Sequence, residues 1–185
     1  HLAVIGAGAQ GRSHLAAMME VRDIQKVTVY DQRREAAKKY QKEMEEKYKI
    51  PVMVCDSVEE AVKGAEIICT VTPSKEPYLK AEWITPGAHI NAVGAFTPNT
   101  REIESSLMAK AKLYADQVEA MKKECGEYLI PKNEGLFGEE HITGSIGGIL
   151  AGQVPGREND TEITLFDALG LAVEDVACGR FLCRE

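Results

Sequence analysis

Three glycines, Gly6, Gly8 and Gly11, follow the apolar run HLAVIG and lead directly into the stretch QGRSHLAAMMEV. Their spacing is GxGxxG, and each position has its own physical task. Gly6 permits a tight turn, Gly8 lets the backbone come close to phosphates, and Gly11 lets strand and helix pack closely. A helix beginning near Ala9 and Gln10 aims unpaired N–H groups and its positive dipole end at a pyrophosphate. Asp31 lies 20 residues beyond Gly11 and closes the second apolar run, KVTVYD. An acid there accepts hydrogen bonds from a ribose. Glycine loop and acid together read as a dinucleotide site.

The same acid repels a 2′-phosphate, which favours NAD over NADP. Gln32, Arg33 and Arg34 follow at once. An arginine beside the acid can stack on adenine or accept a phosphate, so NADP stays open, although a solvated helix start is the plainer reading for Arg33 and Arg34.

The elements that must hold these residues alternate along the chain. HLAVIG, KVTVYD, VMVC, EIICTVT, AHINAVG and KLYAD are short continuous apolar runs. Helical spacing separates them: Leu15, Met18, Met19 and Arg22 first, then Ala36, Ala37, Tyr40, Met44 and Tyr48. SVEEAVKGA opens with Ser57 and Glu60 at capping-box spacing, and EIESSLMAKA reads as a further helix. Strand, helix, strand, helix with apolar strands predicts an α/β fold, a doubly wound parallel sheet buried on both faces. Ligands on such a sheet lie beyond the carboxyl ends of the strands. Thr72, Pro73 and Ser74 are therefore expected beside the cofactor ribose, and Val93 and Gly94 beside the nicotinamide, where a side chain at 94 would crowd the ring.

Residues 117–160 read as a connection with one or two short helices. TEITLF is then a candidate strand and DALGLAVEDVACGRFL a helix. We divide the chain into a dinucleotide-binding domain at 1–150 and a C-terminal strand and helix at 151–185.

No catalytic constellation shows by spacing. His14 fits a helix face, while His89 and His141 have no evident partner. There is no nucleophile elbow, no HExxH and no Walker lysine. What remains is hydride chemistry, in which the cofactor supplies the reactive atom and the protein positions it. The five cysteines are odd in number, scattered and never spaced as CxxC. They predict neither disulfides nor a metal site, and fit a reducing cytoplasm. A net charge of −7 argues against nucleic acid and against anionic membrane. No apolar run approaches the length of about 18 residues that a spanning helix needs, and HLAVIG lacks the basic flank of a signal peptide.

Taken together, GAGAQGRSH, VYDQRREAAKKY, HINAVGAFTPNTREI, LYADQVEAMKKECGE and TEITLFDALGLAVEDVA resemble the ornithine cyclodeaminase/mu-crystallin family. The resemblance covers nearly the whole chain. INAVG…REI and ITLF…LGLAVEDVA are more specific than the glycine loop. It implies a Rossmann domain preceded by a long N-terminal stretch that begins a second domain for substrate binding and dimerisation, with the last helix returning to complete it. It further implies a homodimer, an amino or imino acid substrate, and a chain that binds NAD yet is inactive alone. Cyclodeaminases of the family carry a catalytic aspartate two residues after the glycine of INAVG. Here Gly94 is followed by Ala95 and Phe96, and a phenyl ring accepts no proton. The expected function is therefore an NAD(P)-dependent oxidoreductase acting at the carbon–nitrogen bond of an α-amino or α-imino acid, with Phe96 either walling the substrate pocket or packing. The alternatives are an ornithine cyclodeaminase using another acid, and a non-catalytic binding protein of mu-crystallin type.

Overall fold

The computed structural model describes residues 1–183. Its centre is one parallel sheet. The strands are β1 (Leu2–Ile5), β2 (Val27–Tyr30), β3 (Val52–Val54), β4 (Ile67–Thr70), β5 (His89–Ala92), β6 (Lys112–Ala115), β7 (Ile142–Ser145) and β8 (Thr164–Asp167). Their order across the sheet is β3-β2-β1-β4-β5-β8-β6-β7. The reversal between β1 and β4 opens a crevice at the carboxyl ends of those two strands, as doubly wound topology requires.

Alternation along β1 shows why both faces are apolar. Leu2 and Val4 point into one core with Leu15, Val27, Val29 and Tyr40, under α1 (Ala9–Val21) and α2 (Arg34–Tyr48). Ala3 and Ile5 point into the other with Ile68, Ile90, Leu113 and Leu165. The second core lies against α3 (Val58–Val62), α4 (Ser105–Lys110), α5 (Val118–Glu124) and α6 (Gly126–Asn133). The stripe read on α2 is the buried one, with Ala37, Tyr40 and Met44 inside. At α3 the Ser57 hydroxyl accepts the Glu60 N–H at 3.1 Å, while the Glu60 carboxylate accepts the N–H of Asp56 rather than that of Ser57.

The structure departs from the sequence reading at three places. A boundary at residue 150 would send the strand near TEITLF out of this sheet. β8 instead lies inside it, paired in parallel with β5 and β6, with Ala92 and Ala115 both opposite Asp167. The physical reason is that Leu165 is buried in the core on one face, while Phe166 on the other face is partly buried along a groove. The following helix, α8 (Ala172–Leu182), does stand clear of the sheet, with Val173, Val176, Phe181 and Leu182 exposed. Secondly, the connection at 117–160 contains a strand, β7, whose register against β6 shifts between Leu113 and Tyr114. Gly144, paired with Tyr114 inside that strand, breaks its apolar pattern. Thirdly, α4 begins at Ser105 rather than at Glu102. Ile103 pairs instead with Leu79 as an isolated parallel bridge, and Glu102 lies in a bend just before it.

Beside β5, β8 and β6, on the side that α1 and α2 occupy elsewhere, a groove of about 870 Å³ runs over His89, Asn91, Phe166 and Tyr114. Ile146 and Leu150 of α7 (Ile146–Leu150) form part of its wall.

Because β8 is an interior strand, Leu165→Ala is expected to cost about 2–5 kcal/mol. The urea midpoint should fall with an unchanged slope. A loss below about 0.5 kcal/mol, typical of surface changes, would contradict the placement of β8.

Candidate functional site

The glycine loop is built by close approach. Gly6 has φ of 112°, a conformation that L side chains rarely adopt, and an added Cβ would stand 2.8 Å from the Val71 carbonyl oxygen. Its N–H donates to the Tyr30 carbonyl at 2.8 Å. An added Cβ at Gly11 would collide with the Gly6 carbonyl oxygen and lie 3.1 Å from Val4 Cγ1. Gly8 differs: a Cβ there meets no atom within 4 Å. Gly8 is also among the residues that line a crevice beside the loop.

Gly8 is the N-cap of α1, with no side-chain cap and no acid in the first turn. The helix start thus keeps its positive end free of internal compensation. Arg12 donates to the carbonyls of Ala7 and Gly8 and pairs with Glu43 of α2 at 2.6 Å. One guanidinium therefore takes up two loop carbonyls and ties α1 to α2.

Asp31 reaches back to the loop. Its Oδ2 accepts the Ala7 N–H at 2.9 Å and its Oδ1 accepts the Arg33 N–H at 2.9 Å. The Arg33 guanidinium lies 3.6 Å from the same carboxylate, and Arg34 pairs with Asp56 on the surface. Glycine loop and acid thus meet at the mouth of a crevice of about 500 Å³.

Of the residues named from sequence, Gly6, Gly8, Asp31, Gln32, Arg33, Thr72, Pro73 and Ser74 line this crevice together. Ile5, Tyr30, Val58, Val71 and Tyr78 complete its wall. Ala9 and Gln10 are exposed at the start of α1, and Gly11 lies beneath the loop, so these three stand outside the wall. Val93 and Gly94 also stand outside it; Val93 donates its N–H to the Thr70 carbonyl at 3.0 Å. Phe96 is 64% exposed, so packing within the described residues does not account for it. His14 bonds the Gln10 carbonyl one helical turn back. His89 meets the Thr164 hydroxyl at 2.8 Å and His141 the Met108 carbonyl at 2.7 Å. Burial lowers the His89 pKa.

The residue that sequence reading missed is Glu102. It is fully buried. Its Oε1 accepts the Thr72 N–H at 2.7 Å, the Thr72 hydroxyl at 2.6 Å and the Tyr78 hydroxyl at 2.6 Å. Its Oε2 accepts the Gly94 N–H at 2.9 Å. Glu127 in turn accepts the N–H groups of Glu102, at 2.5 Å, and Ile103, at 3.2 Å. Burial raises the Glu127 pKa well above the usual carboxylate range, with the Asp167 charge adding to it. Asp167, at the end of β8, accepts from the Cys125 thiol at 3.2 Å, while its Oδ1 is buried without a partner. Burial pushes its pKa to about 7. No local signal marked Glu102 in the sequence, because every group it binds lies on another segment.

Fold and crevice define a Rossmann-like α/β protein with a glycine loop at the topological switch point. The chain belongs to the ornithine cyclodeaminase/mu-crystallin family, whose model matches residues 1–184. A Delta(1)-pyrroline-2-carboxylate reductase of Bacillus cereus is 39% identical over 182 residues, 98% of this chain and 56% of that protein. The structure of the Thermococcus litoralis Delta(1)-pyrroline-2-carboxylate reductase, in complex with NADH and L-proline, superposes with a TM-score of 0.95 at 41% identity. It covers 97% of this chain and 55% of its own. An archaeal alanine dehydrogenase dimer with bound NAD gives 0.91 at 40% identity, over 97% of this chain and 55% of its own. The chain thus spans about half the length of these relatives.

Two substitutions separate packing from ligand contact. Gly11→Ala should lower the melting temperature by several degrees, because its methyl must displace backbone. Gly8→Ala should leave stability within about 0.5 kcal/mol and weaken dinucleotide binding measured by calorimetry. For Asp167 the sign follows from its raised pKa: the folded state keeps a proton that the unfolded chain releases, so its stabilising contribution is lost as pH rises through about 7. Asp167→Asn should flatten that loss when urea midpoints are compared at about pH 5 and pH 8.

Proposed function

We propose that this chain is the cofactor-binding part of an NAD-dependent oxidoreductase that acts at the carbon–nitrogen bond of an α-amino or α-imino acid. The observation that carries the reading is the uncapped start of α1 beside Asp31, whose carboxylate lies one hydrogen bond from the loop. The residues fit a dinucleotide. Gly8 leaves room where a Cβ would intrude, the helix start offers N–H groups to a pyrophosphate, and Asp31 stands where a ribose diol would bond it.

In this reading Gly6, Gly8, Ala9, Gln10 and Gly11 form the pyrophosphate cradle. Asp31, Gln32 and Arg33 border the adenosine ribose, and Thr72, Pro73 and Ser74 the second ribose. Val93 and Gly94 lie nearest the nicotinamide. A bound nicotinamide supplies the hydride chemistry; the chain orients it and keeps its neighbours fixed. Arg33, 79% exposed at its side chain, is free to turn toward a 2′-phosphate, so NADP use remains part of the reading. Phe96, standing free beyond Gly94, is assigned to the substrate side. Since it accepts no proton, imine reduction or amine oxidation is favoured over cyclodeamination.

The relatives that bind NADH with L-proline, or NAD as a dimer, support a small amino or imino acid as substrate and a homodimer as the working form. Among the described residues no helix is long and apolar enough to cross a membrane. Cys55, Cys69 and Cys125 are buried as free thiols, which suits the cytoplasm.

The deciding assay gives the intact protein NADH with Delta(1)-pyrroline-2-carboxylate, and with pyruvate plus ammonia. Loss of NADH absorbance with formation of proline or alanine is the expected outcome. Proline and ammonia from ornithine, with no net change in the cofactor, would instead identify a cyclodeaminase. Asp31→Asn should weaken NAD binding about 10- to 100-fold, the loss of a charge-assisted hydrogen bond, and narrow the preference over NADP.

A further inference from the structure

We propose that Glu102 is a positioning residue for the nicotinamide end of the crevice, and that its negative charge biases the site toward the oxidised, cationic ring. The proposal rests on the cofactor reading above and adds to it a determinant of redox-state preference.

The geometry is that of a clamp. Thr72 and Gly94 follow β4 and β5, which are neighbours in the sheet. One carboxylate spans them, taking the Thr72 N–H on Oε1 and the Gly94 N–H on Oε2. Backbone N–H groups can only donate, so both oxygens act as acceptors. The Thr72 and Tyr78 hydroxyls complete the Oε1 shell. No space is left over: a Cβ at Gly94 would collide with the Thr72 carbonyl and lie 2.5 Å from Glu102 Oε2. Glu102 itself is held from behind, because Glu127 binds its N–H and that of Ile103, and its carbonyl accepts the N–H groups of Tyr78 and Leu79.

Every donor to this carboxylate is neutral. Among the described residues Glu102 joins no ion pair with lysine, arginine or histidine. Its ionisable neighbours are Tyr78, Glu127 and the more distant Asp167, of which the two carboxyl groups add no positive charge. Dipoles stabilise the anion without cancelling it, and away from water such a charge acts over several ångströms. The oxidised nicotinamide ring carries one positive charge and the reduced ring none. A buried anion under the strand ends that border the ring therefore separates the two forms, while ADP-ribose, which lacks the ring, carries no charge that changes with redox state.

The test measures dissociation constants of NAD⁺, NADH and ADP-ribose by calorimetry on the intact protein. Glu102→Gln removes the charge at nearly constant shape. It should weaken NAD⁺ at least about tenfold relative to NADH, the size expected of one charge pair out to about 12 Å at an effective dielectric near 20, and leave ADP-ribose within about twofold. Glu102→Asp keeps the charge and shortens the reach. It should weaken both nicotinamide forms together and preserve their ratio, and it carries the test if the glutamine variant fails to fold by circular dichroism. An unchanged NAD⁺ to NADH ratio in Glu102→Gln overturns the charge role, and unchanged affinities in Glu102→Asp overturn the positioning role. Wild-type protein that binds no ADP-ribose would instead defeat the cofactor reading beneath both.

Discussion

The closeness of Gly11 to the Gly6 carbonyl is the constraint from which the crevice follows. Only a hydrogen on that α-carbon lets α1 begin so near the end of β1. The approach puts the helix start over the carboxyl end of the sheet and turns Gly8 outward into free space. The Tyr40 hydroxyl, buried under α2, donates to the Gly11 carbonyl at 3.2 Å and holds the contact from the other side. Arg12 then takes up the loop carbonyls that this turn leaves over. Remove the contact, and helix, loop and acid no longer share one mouth.

A second regularity is the use of acids as acceptors for backbone N–H groups at strand ends. Chain leaving a parallel sheet strands its donors, because the ladder stops and the next element has not begun. Asp31 serves Ala7 and Arg33, Glu102 serves Thr72 and Gly94, and Glu127 serves Glu102 and Ile103. Asp116 serves Gln117 and Gly170. A carboxylate suits this work because it accepts up to four bonds and bridges donors from separate segments. The cost is charge under the crevice floor, relieved in part where burial keeps Glu127 and Asp167 protonated to higher pH.

Much of this was legible in the residues. The six apolar runs up to residue 115 are the six strands found there, since strands covered on both faces need unbroken apolar sequence. The glycine loop and Asp31 were legible because their spacing encodes a local turn and one neighbouring strand. β7 was not, because Gly144 breaks its pattern within four residues. The place of β8 was hidden for a different reason: pairing between distant segments leaves no local periodicity. Glu102 escaped because its partners, Thr72, Tyr78 and Gly94, lie on other segments, and a lone glutamate before Ile103 looks like a helix start. Local chemistry shows in sequence; long-range satisfaction of donors does not.

The position of β8 also bears on how the chain assembles as it leaves the ribosome. Its neighbours, β5 and β6, are synthesised well before it, yet they share no edge with each other and wait for a strand some 75 positions downstream of β5. Until Leu165 emerges, the nascent sheet has a gap at its middle rather than a frayed border, and two unpaired edges face solvent together. Contacts this far apart in sequence slow folding and leave the intermediate prone to pairing with foreign strands. Chaperone dependence should therefore be greatest for chains halted just short of that strand.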